Sequence, residues 1–278
     1  MSAAKTHLTI ALFFAGALIT GVAHALPSYV IYDLGTLGGS SSFGFGVNNS
    51  GQVTGVSYIE NDSARHAFVG DATNGLTDLG VLGGTHSFGK AINDSGKVVG
   101  SSQTDINSLP PGSNYRAFIG DATNGIINPG TLNGHTSALG INNSGQIVGQ
   151  SENSRGEGRA FIGDAYNGLT DLGTLGGVES RAYDINEDGL VTGLAQTADS
   201  GTSSHAFVGD AVNGLTDLGT LGDGYIDSVG MSINAEGLVA GYSNRAANQS
   251  THAFVGDVTS GLTDLGWWRN KLGFRNQR

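Results

Sequence analysis

Between about residue 29 and residue 266 the chain alternates short apolar runs with turn-forming residues, and the runs recur in one fixed order. Three blocks carry the order. The first is VNNSGQVTG at 47–55, answered by INDSGKVVG (92–100), INNSGQIVG (141–149), INEDGLVTG (185–193) and INAEGLVAG (233–241). The second is HAFVGD at 66–71, answered by RAFIGD (116–121 and 159–164) and HAFVGD (205–210 and 252–257). The third is an Asp-Leu-Gly line starting at Asp33, Asp78, Asp171, Asp217 and Asp264, degenerate once as Asn128-Pro129-Gly130. Successive copies lie 43 to 50 residues apart. That period marks a repeat architecture, in which each unit buries its apolar faces only against its neighbours.

Each unit reads as four short strands. The first ends at Val47-Asn48, and the Asn-x-x-Gly that follows is a tight turn in which asparagine and glycine tolerate positive φ. Gln52 to Gly55 opens the second strand. A polar loop of variable length leads to the third strand, the Ala-Phe-Val/Ile block. Asn74-Gly75 or Asn167-Gly168 then gives the strongest short hairpin signal, and Leu-Thr-Asp-Leu is the fourth strand. Four strands per unit of this length match a propeller blade. The expected fold class is therefore all-β, a propeller of about five four-stranded blades, with an open stack of β-meanders as the alternative. The Asp-Leu-Gly line occurs six times and the full unit only five. Tyr29 to Leu34 has a fourth-strand pattern, so it would close a ring by completing the last blade, leaving Leu262 to Leu265 surplus or opening a sixth.

Residues 1–25 differ in kind. Lys5, the apolar run Leu8 to Ala23 and the small residues of Ala23-His24-Ala25 form a secretory signal peptide pattern, with a run too short to span a membrane. The expectation is Sec-type export to the outside of the cell or its surface, with no membrane span after removal. Residues 26–266 form a single repeat domain and 267–278 a short basic tail.

Composition sharpens this. There are 47 glycines in 278 residues, four prolines and no cysteine. Glycine does not fall at every third place, so collagen is excluded. Disulfides and thiolate metal sites are excluded as well. Net charge is -11, and five of the 13 basic residues lie outside the repeats. With Lys5 in the leader and Arg269, Lys271, Arg275 and Arg278 in the tail, residues 26–266 carry 24 acids against 8 bases. A nucleic-acid binder needs a basic face, so that class is excluded.

The blocks resemble the HAF-repeat family of predicted extracellular bacterial proteins. The defining His-Ala-Phe stands at His66-Ala67-Phe68, His205-Ala206-Phe207 and His252-Ala253-Phe254, with Arg116 and Arg159 replacing histidine in the other two copies. The family's Asp-Leu-Gly-Thr-Leu-Gly-Gly line stands at 33–39 and 171–177. The resemblance covers residues 29–266 and implies export and a repeat architecture, without a defined reaction. Relatives often carry a PEP-CTERM sorting signal; the tail beginning Trp267-Trp268-Arg269 has no such Pro-Glu-Pro and apolar span.

Residues present in every unit serve the unit, so the recurring His/Arg and Asp read as packing and turn-capping groups. Binding chemistry is expected where the symmetry breaks, in the stretch ahead of each Ile-Asn. That stretch supplies His86, His135, Glu179, Arg181, Tyr225 and Asp227 as candidate ligand-binding residues, with Asp223 and Asp227 as a carboxylate pair for glycoside chemistry. Asp184, Asn186 and Asp188 match the opening of a calcium loop but lack its late glutamate, which makes calcium the one weak cofactor candidate. No catalytic residue is assigned. The expected function is a secreted, non-catalytic scaffold or adhesion module whose partners are extracellular polysaccharide or surface proteins. The alternatives are a carbohydrate-active propeller enzyme and a lectin-like, glycan-binding propeller.

Overall fold

A computed structural model of the chain describes residues 30–104, 115–198, 203–222, 227–245 and 250–266. The leader and the tail lie outside these residues, as do Asp223 and Tyr225. Among the described residues no helix is long and apolar enough to cross a membrane.

Among the described residues twenty strands form five separate four-stranded antiparallel sheets, each a simple meander in chain order. Blade 1 is β1 (Gly38–Val47), β2 (Val53–Ile59), β3 (Arg65–Asp71) and β4 (Gly75–Asp78). Blade 2 is β5 (Gly83–Ile92), β6 (Val98–Thr104), β7 (Tyr115–Asp121) and β8 (Gly125–Ile127). Blade 3 is β9 (Thr136–Ile141), β10 (Ile147–Glu152), β11 (Gly158–Asp164) and β12 (Gly168–Gly173). Blade 4 is β13 (Gly176–Ile185), β14 (Val191–Thr197), β15 (Ser204–Asp210) and β16 (Gly214–Gly219). Blade 5 is β17 (Ser228–Ile233), β18 (Val239–Asn244), β19 (Thr251–Asp257) and β20 (Gly261–Asp264). The first strand of each later blade lies on the second and third strands of the blade before it.

Local chemistry explains the meander. In the first turn Gly51 takes φ 76°, its N–H donates to Asn48 O, and the Asn48 carboxamide oxygen accepts the N–H groups of Ser50 and Gln52. Asparagine thus acts as the acceptor of an Asx turn, and the positive φ falls on glycine alone. In the third turn, between β3 and β4, Asp71 is the acceptor, taking the Thr73 and Asn74 N–H groups. Gly75 takes φ 71°, while Asn74 donates its side chain to Asp71. The expectation that asparagine shares the left-handed backbone is corrected at both turns. In the middle of β6, Gly100 meets the bulged first strand so closely that a Cβ there would stand 1.8 Å from Phe88 O. Gly55, Gly149, Gly193 and Gly241 occupy the same place in their blades, with carbonyls 1.8 to 2.0 Å from the built Cβ.

Phe68, Phe118, Phe161, Phe207 and Phe254 are all buried, one per blade. They join apolar clusters that form at the joints between blades. Ala67, Val69 and Leu79 of blade 1 pack with Val98 and Phe118 of blade 2, and each later joint repeats the grouping. Polar bonds run along the same joints. The turn asparagine donates from Nδ2 to the carbonyl of the next one: Asn48 to Asn93 (3.0 Å), Asn93 to Asn142 (3.1 Å), Asn142 to Asn186 (3.0 Å) and Asn186 to Asn234 (3.0 Å). The following N–H donates to the next blade's side chain, Asn49 to Asp94, Asp94 to Asn143 and Asn143 to Glu187. At three joints the third-strand alanine donates its N–H to a hydroxyl of the next first strand, Ala67 to Ser87, Ala160 to Ser180 and Ala206 to Ser228, each at 2.8 Å.

The last blade is completed by its own fourth strand, β20, which pairs with β19. Residues 30–36 form no strand; Gly35 O accepts the Ser42 hydroxyl of β1, and the first strand-type pairing is the bridge of Leu37 to Ile59. The N-terminal segment therefore does not close the ring through blade 5, and Leu262 to Leu265 is not surplus.

Candidate functional site

The blades have two chemically different ends. The first and third turns of every blade gather at one end, and the variable loops with the returning connections gather at the other. At the turn end the same residues recur. Asp71, Asp121, Asp164, Asp210 and Asp257 each accept two backbone N–H bonds from their own turn. All five carboxyls are held below the usual aspartate range. The asparagine side chain is the main cause at Asp71, Asp164 and Asp210, the Lys97 ammonium at Asp121, and the Ser260 N–H at Asp257. A cleft of about 590 Å³ opens here between blades 2 and 3, and one of about 480 Å³ opens at the matching place between blades 4 and 5. Turn residues common to the blades supply much of both linings, so these clefts are grooves made by the repeat.

The recurring histidines are fasteners. His66 Nδ1 bonds Asp78, His205 Nδ1 bonds Asp217 and His252 Nδ1 bonds Asp264, tying third strand to fourth. The same aspartates accept the N–H of Gly80, Gly219 and Gly266, which caps the connection out of the blade. Ser250 Oγ lies 3.0 Å from His252 Nε2, giving a serine–histidine–aspartate line that the sequence did not show. The pairing in blades 1 and 4, His66–Asp78 and His205–Asp217, makes the His–Asp part structural.

The sequence candidates collect at the loop end. Seven residues ahead of each turn asparagine stand Ser41, His86, His135, Glu179 and Asp227, one per blade. Two of them serve the joint. His86 Nδ1 accepts the Arg65 N–H at 3.0 Å, and Asp227 Oδ1 accepts the Ser204 N–H at 2.9 Å, in both cases at the start of the preceding blade's third strand. His135 and Glu179 instead line a cleft of about 240 Å³ with Arg181, Gln150 and Glu152. Arg181 donates from Nε (3.0 Å) and Nη2 (2.5 Å) to Gln150 Oε1, which fixes the guanidinium across the joint between blades 3 and 4. Glu152 Oε2 accepts the His135 N–H at 2.9 Å.

A row of rings leads into this cleft. Arg65 sits over Tyr58 and Phe88, with its guanidinium 5.7 and 5.2 Å from the centroids. Phe88 lies 6.1 Å from Tyr115, and Tyr115 lies 5.8 Å from His135, at tilted angles that suit aromatic quadrupoles. His86 flanks the row at 6.5 Å from Phe88. Burial holds the His135 imidazole below its ordinary value; Glu152 opposes this and the charges of Arg116 and Arg181 add to it. Burial followed by the Arg65 and His66 charges does the same to His86. Both rings are neutral at pH 7, able to donate from one nitrogen and accept at the other.

Three of the six sequence candidates thus share one cleft, His86 borders its approach, Asp227 belongs to the joint between blades 4 and 5, and Tyr225 lies outside the described residues. Gln150, Glu152 and Tyr115 were not singled out by sequence. Their signal was a departure from their counterparts: Val56, Ser101, Leu194 and Tyr242 stand where Gln150 does, and Tyr58, Gln103, Gln196 and Asn244 where Glu152 does. The calcium candidates sit at the turn end. Asp184 Oδ2 accepts Ser232 Oγ–H and Ile233 N–H, and Asn186 Oδ1 accepts the N–H groups of Asp188 and Leu190. Both are engaged in the joint or the turn, and among the described residues no three His, Asp or Glu groups converge to hold a metal.

No family model and no curated protein matches this chain by sequence. Among solved structures it is similar to TolB from Acinetobacter baumannii, at 16% identity and a TM-score of 0.50, over 78% of this chain and 53% of that one. It is also similar to a puromycin hydrolase, at 16% identity and a TM-score of 0.48, over 80% of this chain and 38% of that one. The chain spans about half the length of TolB. With five four-stranded meanders packed in series, that likeness gives the fold as an all-β propeller.

Proposed function

We propose that this chain is an exported, non-catalytic propeller scaffold of the HAF-repeat kind that binds a neutral extracellular glycan at the loop end of blades 2 to 4. The observation that carries the reading is the convergence of His135, Gln150, Glu179 and Arg181 at the end of a ring row. Sugars present hydroxyl pairs at their edges and C–H groups on their faces. The cleft offers fixed donors and acceptors for the former, and half-buried rings offer flat surfaces for the latter. The acidic repeats disfavour a polyanion, since 24 acids against 8 bases over residues 26–266 repel like charge. The leader pattern of residues 1–25 supports export. Calorimetry against a panel of neutral oligosaccharides tests the reading. Binding that weakens at least tenfold in Arg181→Ala and Tyr115→Ala supports it, and absence of heat with every member of the panel removes it.

The presence of two carboxyl groups, Glu152 and Glu179, in one cleft favours a second reading, hydrolysis of a glycosidic bond. Release of reducing ends from the bound glycan, abolished by Glu179→Gln, would select it over the scaffold.

A further inference from the structure

Blades 1 and 5 each keep one face that no other blade covers. In blades 2 to 5 the apolar residue before the turn asparagine, Ile92, Ile141, Ile185 or Ile233, packs on or toward the preceding blade, but its counterpart Val47 is 68% exposed. On the other side, Leu79, Leu172 and Leu218 are 3 to 7% exposed beneath the next blade, whereas Leu265 is 40% exposed. Ala67, Ala117, Ala160 and Ala206 are fully buried, and Ala253 is exposed. Both faces are open in the same molecule, so they do not cover each other.

We propose that a second copy of this chain docks there, head to tail, making a fifth joint of the same kind as the four inside the molecule. The parts of the internal joints continue onto both open faces. Each internal joint uses an asparagine Nδ2 donor and a carbonyl acceptor; blade 5 presents Asn234 and blade 1 presents Asn48 O, which so far accepts the Gly51 N–H. Three use the next N–H and a side-chain oxygen; blade 5 presents the Ala235 N–H and blade 1 presents Asn49. Three use an alanine N–H and a hydroxyl; blade 5 presents Ala253 and blade 1 presents Ser42. The Ser42 hydroxyl already donates to Gly35 O at 2.7 Å, as Ser87 does to Gly80 O and Ser180 to Gly173 O, which leaves its lone pairs to accept. Repeat arrays normally end in units with a polar outer face; among the described residues blade 1 exposes Val47 and blade 5 exposes Ala253 and Leu265 on these faces. The joint is heterologous, so it propagates into a filament or closes into a larger ring, according to the angle between copies.

The test is sedimentation of the full chain over a range of concentrations, with two variants that block one face each. Val47→Glu spoils the head face and Ala253→Arg the tail face; both positions are exposed, so thermal unfolding checks that each variant folds. Wild type should more than double its weight-average mass as concentration rises, and each variant alone should stay monomeric. An equal mixture of the two should give dimers and nothing larger, because only one productive pair of faces survives. A wild type that stays monomeric throughout, variants that assemble like wild type, or a mixture without dimers would each overturn the proposal.

Discussion

At the turn end of the blades the five copies of the unit repeat the same chemistry, and at the loop end they differ. Asp71 and its four counterparts hold the same turn, and Asn48 and its counterparts hold the same joint. At the loop end the place occupied by Ser41 becomes His86, His135, Glu179 and Asp227 in turn. His86 and Asp227 accept an N–H from the preceding blade's third strand, and His135 and Glu179 are turned toward a cleft. The contrast teaches that departure from the repeat is necessary for a site but not sufficient. A departing side chain must also be left facing a cleft.

The comparison is broken most severely from within the sheet, where both ends are anchored. Gly149→Ala places a Cβ 2.0 Å from Ser137 O, and overpacking of this kind costs about 3 kcal/mol or more. Denaturant melts should show that loss, with turn and loop signals failing together. Next comes Asn142→Ala at the turn end. Asn142 is buried, accepts the Gln146 N–H and donates to Asn186 O, so its loss should cost about 1–3 kcal/mol while glycan affinity of the folded fraction is unchanged. Arg181→Ala should do the reverse. A tenfold loss of affinity is about 1.4 kcal/mol, with stability within about 0.5 kcal/mol of wild type.

Acid should separate the two ends by pH. The folded pKa of His86 and His135 lies below 6.5, so the unfolded chain binds more protons as pH falls past that value. Their contribution to stability is complete above about pH 6.5 and is lost as pH falls through the folded pKa. The turn aspartates have folded values below 3.8, so their contribution is complete above that value and is lost only as pH falls below it. Amide exchange read along a pH series should therefore loosen the Arg65 N–H before the Thr73 and Tyr166 N–H groups. The smallest effect is expected at Tyr166, 93% exposed, where alanine should shift stability by less than about 0.5 kcal/mol.

Most of the fold was legible in the chain because the repeat states each strand five times and the turn glycines mark each reversal. The caps on Asp71 and Asp78 were legible for the same reason. What could not be read was anything that depends on pairing between units. Asn48 reaches Asn93 only because blade 2 lies on blade 1, and nothing local to either turn announces it. The site shows the same limit. Glu179 and Arg181 share a strand and read as a pair, but Gln150 joins them across a joint, 31 residues from Arg181. Closure of the ring by Tyr29 to Leu34 failed as an expectation because a strand pattern identifies a role in a sheet, not which sheet supplies the partners.

The chain of asparagines from Asn48 to Asn234 runs one way. Blades 1 to 4 each give a carboxamide to the blade after, and blades 2 to 5 each receive one from the blade before. A whole blade added by duplication would bring its own donor and offer its own carbonyl, and would fit at any joint without a compensating change elsewhere. Loss of part of a blade would leave a donor or a carbonyl without its match on one side. Descent by whole units, with sequence drift concentrated in the loops, is the history such a one-way fastening permits.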